Sequence, residues 1–188
     1  MEFAANITLA ALLQQVLVGL SRTTILFIVA SGLSLVLGVL RIPNVAHGSL
    51  YMIGAFCTYT VATLFGQSTL GFWLALIVAP MIVALISFIV ERGLFCHLYE
   101  REHLMLLLFT FSFMLVFGDL VKLVWGSDYR SLTPPSFLMG FFSISGFPFP
   151  RYTLFLLIVG PLVAAGLWFL TRKTKIGKIA RAAAVDRE

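Results

Sequence analysis

The stretch "VLRIPNVAHGSLYMIGAF", residues 39–56, sets an arginine, a proline, an asparagine and a histidine between two runs that are otherwise apolar. Pro43 cannot continue a helix hydrogen-bond ladder and disfavours helical geometry at Ile42, while Asn44 has the side chain of a good N-cap. The stretch therefore reads as the end of one helix and the start of another. What it does depends on depth. Inside the membrane, unpaired backbone groups survive only when buried in protein or lining a wet cavity, which would set Asn44 and His47 on a solute path with Gly48 letting a neighbour approach. At the membrane surface the same residues make a plain cytoplasmic turn with a capping Asn and an incidental His.

The surrounding composition favours lipid. Of 188 residues, 60% are hydrophobic and 11% charged, against about a quarter charged in a soluble domain. From Ile42 to Val90 no Asp, Glu, Lys or Arg occurs, which leaves room for two crossings of about 20 residues each and a turn. The fold expected is all-α, a polytopic transmembrane helical bundle. Its crossings fall near residues 23–40, 48–65, 70–90, 104–125 and 153–170, within a transmembrane domain over 1–170. Residues 9–20 carry Leu9, Leu12, Leu13, Val16 and Leu20 at helical spacing and either lie at the interface or extend the first crossing. Residues 126–151 hold four prolines and many aromatics with no helical period, and read as an ordered extramembrane loop.

Charge gives the direction. Arg172, Lys173, Lys175, Lys178, Arg181 and Arg187 crowd the C-terminal end, which places that end in the cytoplasm. Five crossings then put the 41–47 and 91–103 connections inside and the Pro-rich loop outside. Arg41, Arg92 and Arg101 agree with this; Arg130 and Arg151 oppose it. The basic tail lacks aromatic interleaving, so nucleic acid is not an expected partner. Cys57 and Cys96 imply no disulfide framework, and Met1-Glu2 opens no basic leader region, so the first apolar segment is expected to stay in the mature protein.

Two stripes of small residues recur at spacing four: Ala30, Ser34 and Gly38, then Gly54, Thr58, Ala62 and Gly66. In lipid such stripes let backbones approach, although ordinary membrane-helix composition also produces them. Asp119 and Lys122, three apart, can pair on one helix face. No carboxylate pair, nucleophile and base, phosphate-cradling loop or metal-ligand spacing is present, so no catalysis, cofactor or metal is expected. A stand-alone secondary transporter or channel on broken helices is the rival reading, and it wants intramembrane acidic residues that the first three crossings lack.

Four stretches then resemble the bacterial branched-chain amino acid ABC-transporter permease family. In "GLSLVLGVLRIPNVAHGSLYMIGAF", residues 32–56, Gly32, Gly38, Asn44, Ala46, His47, Gly48, Tyr51, Met52, Gly54 and Ala55 match its signature. "VERGLFCHLYER" (90–101), "DLVKLVWGSD" (119–128) and "KTKIGKIARAAAVDRE" (173–188) are similar to later motifs in the same order. Ser49 stands where an acidic residue is frequent, Val18 precedes Gly19 where Asn is frequent, and Arg22 takes a place usually apolar or small. These departures bear on substrate choice.

The resemblance implies an inner-membrane permease subunit of an importer for branched-chain or related amino acids, urea or short amides. It implies a second permease subunit, cytosolic ATP-binding subunits that hydrolyse ATP, and a periplasmic or extracellular solute-binding protein as partners, besides membrane lipid. Asn44, His47, Gly48, Ser49 and Tyr51 would border the substrate path. Residues 171–188 would open the ATPase-facing loop, with Gly177, Arg181, Ala182, Ala184, Asp186 and Glu188 in the coupling motif. Ile176, Ile179, Ala180 and Ala183 share one helical face there, which suits a short helix pressed on a partner. Family members are longer, so the chain reads as truncated inside that loop and is expected to transport nothing alone.

Overall fold

The computed structural model describes residues 9–40, 44–98, 102–144, 147–175, 177–179 and 182. Five α-helices appear: α1 (Leu9–Leu40), α2 (His47–Leu64), α3 (Thr69–Gly93), α4 (His103–Trp125) and α5 (Arg151–Lys173). A 3-10 turn spans Phe95–His97, and an antiparallel hairpin pairs β1 (Phe141–Ile144) with β2 (Phe147–Pro150). The fold is the all-α polytopic bundle that the composition requires. Residues 9–20 join α1 without a break, giving a helix of 32 residues, about 48 Å at 1.5 Å per residue.

Among the described residues four helical stretches are long and apolar enough to cross a membrane: Ala11–Gly38, Thr69–His97, Leu104–Trp125 and Arg151–Lys173. Helix α2 is not among them. It has 18 residues, about 27 Å, and carries His47, Ser49, two tyrosines and three threonines. Its threonine hydroxyls are returned to the helix itself: Thr58 donates to the Gly54 carbonyl (2.8 Å), Thr60 to Phe56 (2.9 Å) and Thr63 to Tyr59 (2.9 Å). Such back-bonding lets a polar helix persist away from water.

The chain divides into two compact units, residues 36–135 and residues 1–35 with 136–188. In the first, α2 lies against α3 along a seam of small residues. Gly71, Ala75 and Ala79 of α3, four apart, are buried there, and Gly54 of α2 approaches Val83. A Cβ placed on Gly71 would sit 2.8 Å from Phe65 Cβ and 3.3 Å from the Ala62 carbonyl oxygen. Neither atom can swing away. Gly71→Val is therefore expected to cost about 1–3 kcal/mol by overpacking, read as a lowered thermal midpoint in detergent, with Gly93→Val, where the added atom meets open space, as the control.

Between α2 and α4 three bonds keep a constant offset of 65 residues. The Val45 N–H donates to Thr110 Oγ1 (3.3 Å), Ser49 Oγ to the Met114 carbonyl (3.3 Å), and Trp125 Nε1 to Thr60 Oγ1 (2.7 Å). The two helices are thus parallel and level with each other. Ile53, Cys57, Ala79, Phe117 and Val121 form the core between them and α3. Phe95, Phe109, Phe113 and Phe117 continue it as a chain of ring contacts between 5.0 and 5.8 Å.

One of the two arginines that oppose the charge rule has a structural task. Arg130 Nη2 donates to the Trp125 carbonyl at 3.2 Å, closing the end of α4, and its guanidinium lies 5.7 Å from the Tyr59 ring centre. Asp119 and Lys122 pair at 3.1 Å, both well exposed, so the pair adds little to stability.

In the second unit, α1 and α5 meet where Gly160 faces Thr24: a Cβ there would fall 2.8 Å from Thr24 Cγ2. Ten residues earlier in α1, Gln14 Nε2 donates to the Pro148 carbonyl at 3.4 Å, just before α5 begins. Both chains advance together, so α1 and α5 run parallel. An apolar cleft of about 320 Å³ lies beside the crossing, bordered by Leu20, Phe27, Leu157 and Ala164 among others. The hairpin was not foreseen within the 126–151 loop. It forms because Phe, Ser and Ile at 141–144 favour extended backbone and Pro148 and Pro150 forbid helix. Gly140 adopts φ 93°, and its carbonyl accepts the Arg151 N–H (3.1 Å).

Candidate functional site

The break between α1 and α2 falls within the first unit described above, at its end nearest Phe95 and Thr110. Residues 41–43, with Pro43, lie outside the described residues. Asn44 does not cap α2 as its residue type suggested. The N-cap is Ala46, with no side-chain bond, because the helix starts at His47 and Asn44 sits two residues before the cap position. Instead the Asn44 backbone carbonyl accepts the His47 N–H at 3.2 Å. Its side-chain oxygen, Oδ1, is buried and has no hydrogen-bond partner among the described residues.

Thr110 holds this turn in place. Its side chain is fully buried at 0% exposure, Oγ1 accepts the Val45 N–H and donates to the Leu107 carbonyl (3.0 Å). One hydroxyl thus satisfies an otherwise orphaned amide of the break. Thr110 was missed in the sequence, where it is one of two hydroxyls, with Ser112, in "LMLLLFTFSFM", residues 104–114. Thr110→Val keeps the shape but strands the Val45 N–H. It is expected to lower stability by about 1–3 kcal/mol, with hydrogen exchange accelerating first at residues 45–47.

The five residues assigned to a substrate path do not gather in one pocket. Ser49 lies on the side facing α4, where it is buried and spends its hydroxyl on Met114, while the Asn44 side-chain oxygen is buried at the break before α2. His47 is half-buried. Gly48 and Tyr51 point the other way: nothing lies within 4 Å of a Cβ on Gly48, and Tyr51 is 55% exposed. With Ala55, also exposed, they form a third face of α2 that neither α3 nor α4 covers among the described residues. Sequence spacing alone could not separate these faces, because the stretch was read as a break and a helix start together.

The stripe Gly54, Thr58 and Ala62 lies along α2, with Gly54 against Val83 of α3 and Ala62 buried. Ala30, Ser34 and Gly38 are exposed on α1, and no atom lies within 4 Å of a Cβ on Gly38. The seam that α3 supplies, Gly71, Ala75 and Ala79, was overlooked although its spacing is equally regular.

At the C-terminal end, Thr174 stops α5 with an extended backbone (φ −93°, ψ 158°). Its hydroxyl donates to the Leu170 carbonyl and accepts the Gly177 N–H at 3.1 Å, so one side chain closes a helix and caps the next turn. A Cβ on Gly177 would collide with the carbonyl oxygens of Leu170 and Thr171. Ala182 is helical and exposed, while Arg181, Ala184, Asp186 and Glu188 lie outside the described residues, as do Ile176, Ala180 and Ala183.

Comparison with known proteins fixes the family. Residues 15–188 match the family described as branched-chain amino acid transport system / permease component. The chain is 27% identical over 182 residues to the high-affinity branched-chain amino acid transport system permease protein BraD of Pseudomonas aeruginosa, an alignment that covers 93% of this chain and 59% of the relative. It thus spans well under two thirds of that protein's length. No solved structure matches it. A polar helix sheltered among apolar spanning helices, together with a match over nearly the whole chain, makes this protein a member of the branched-chain amino acid transport permease family.

Proposed function

We propose that the chain is the part of an ATP-binding-cassette importer's permease subunit that contains α2 as a lining helix of the solute path, for branched-chain or related amino acids. It is a multi-pass protein of the bacterial inner membrane. Partners are a second permease subunit, cytosolic ATP-binding subunits at the 171–188 segment, and a solute-binding protein outside. The observation carrying the reading is the buried Asn44 amide oxygen at a helix break, which has no hydrogen-bond partner among the described residues and so is free to meet a polar solute. The name of the BraD relative supplies the substrate class.

The reading counts α2 as a crossing despite its polarity. Its bonds to α4 span residues 45–60 at a fixed offset, a rise of about 23 Å, so it accompanies α4 from Thr110 to Trp125, most of that helix's length. The parallel course of α1 and α5 supports the same count. With α2 crossing, α1 and α5 both run inward; without it they would be opposed. Labelling with a membrane-impermeant thiol reagent is expected to reach a cysteine at Tyr129, 94% exposed, from outside. The exposed Cys96 should react only after the membrane is opened.

Alternating access needs each partner to bind the two states unequally. Uptake of radiolabelled leucine by the assembled complex in vesicles, with ATP trapped inside or outside, decides between this reading and a secondary transporter. Uptake that ignores ATP and collapses with an ionophore would overturn it.

A further inference from the structure

The hairpin between Phe141 and Pro150 leads into α5 without a linking residue and is bonded to α1. From Arg130 to Arg151 the chain has 20 consecutive uncharged residues, 131–150. Yet its aromatics are not all folded inward: Phe149 is 4% exposed, whereas Phe141 is 67% and Phe142 50% exposed, with Met139 beside them also open. An isolated two-stranded hairpin is marginal in water, and one with bare phenylalanines on an extracellular surface would be more so.

Its depth can be worked out from the helices that hold it. Thr24 and Gly160, which touch, stand at the middle of the apolar spans Ala11–Gly38 and Arg151–Lys173. From Thr24 back to Gln14 is ten residues and from Gly160 back to Arg151 is nine, about 15 Å and 14 Å of helix. Each is about half the 30 Å thickness of the hydrocarbon core. Two helices thus place the hairpin, through Gln14 with Pro148 and through Arg151 with Gly140, at the boundary between hydrocarbon and headgroups.

The backbone agrees with that level. A two-stranded ribbon has two open edges whose N–H and C=O groups are costly in hydrocarbon but satisfied among headgroups and water. Pro148 and Pro150 remove two donors from one edge, and Gln14 occupies the Pro148 carbonyl. Aromatic rings favour this zone, and Arg151 at the hairpin base is placed to meet phosphates.

We propose that residues 139–144 and 147–150 are an interfacial anchor that inserts Met139, Phe141 and Phe142 among the lipids of the outer leaflet, and that this face docks on lipid and not on a soluble partner. It pins the outer ends of α1 and α5 at one depth. The test uses the full protein in its assembled complex, with Cys96→Ser, reconstituted in vesicles of phosphatidylethanolamine and phosphatidylglycerol. Nitroxides are attached at Phe141→Cys and Phe142→Cys, with Met139→Cys as the alternative site should either fail to fold and Tyr129→Cys as the aqueous control. The expected result is a ratio of oxygen to water-soluble nickel-chelate accessibility several-fold higher at 141 and 142 than at 129, unchanged by adding the solute-binding protein. Nickel accessibility equal to that at 129 would place the hairpin in water. Shielding from both reagents would mean that protein covers it. Either outcome overturns the anchor.

Discussion

Asn44→Leu is expected to abolish uptake by the assembled transporter while leaving the protein at least as stable as before. The Asn44 amide oxygen is buried without a partner among the described residues, and desolvating such a group costs about 1–3 kcal/mol when nothing repays it. Replacing it with a leucine of similar volume removes that cost, so the thermal midpoint should hold or rise. A purely structural asparagine would show the opposite, falling stability with activity in proportion. A polar group kept unsatisfied in one state finds its partner in another, either a transported solute or a rearranged backbone at the break. Losing it should therefore penalise transport by more than about tenfold, equivalent to about 1.4 kcal/mol. Asn44→Asp, which keeps an acceptor oxygen, should retain more uptake than Asn44→Leu. Full uptake by Asn44→Leu would remove the residue from the path.

Much of this architecture was legible from residue patterns, and what was missed has physical causes. Helices α2 to α5 begin within two residues of the apolar runs, because in lipid a run of apolar residues has only helix available to satisfy its backbone. Asp119 with Lys122 follows from helix geometry alone. The cap assigned to Asn44 failed, since the bond that fixes the turn comes from Thr110, 65 residues away, and no local pattern announces a long-range donor. The hairpin escaped because phenylalanine, proline and glycine in short alternation signal both loop and strand. Of the five path residues, chain order could identify the segment. It could not tell that Ser49 turns to α4 while Gly48 and Tyr51 turn away, as the helix register was set by the true start at His47. Gly160 against Thr24 is illegible in principle, because single small residues become meaningful only when a partner helix is placed beside them.

The second large effect is expected from Gly177→Ala. Thr174 ends α5 and caps the following turn, and this double use folds the chain so tightly that the backbone of residue 177 lies on the carbonyls of Leu170 and Thr171. A methyl group there meets backbone oxygens, not a side chain that can rotate, so the turn itself must open. Because the contact is at the end of α5 and involves none of the buried core, the thermal midpoint should hardly move. The direction in which the chain leaves α5 after Gly177 should change, and with it the contact proposed above with an ATP-binding subunit. Uptake should fall at least about tenfold, together with crosslinking from a cysteine at Lys178 to that subunit, while solute still binds. Thr174→Ala, which loses the cap at about 1 kcal/mol but leaves room for the turn, should give a milder defect of the same kind. Unchanged crosslinking and uptake in Gly177→Ala would mean that force enters the permease elsewhere, since a segment that must leave its place cannot also deliver an undiminished push through it.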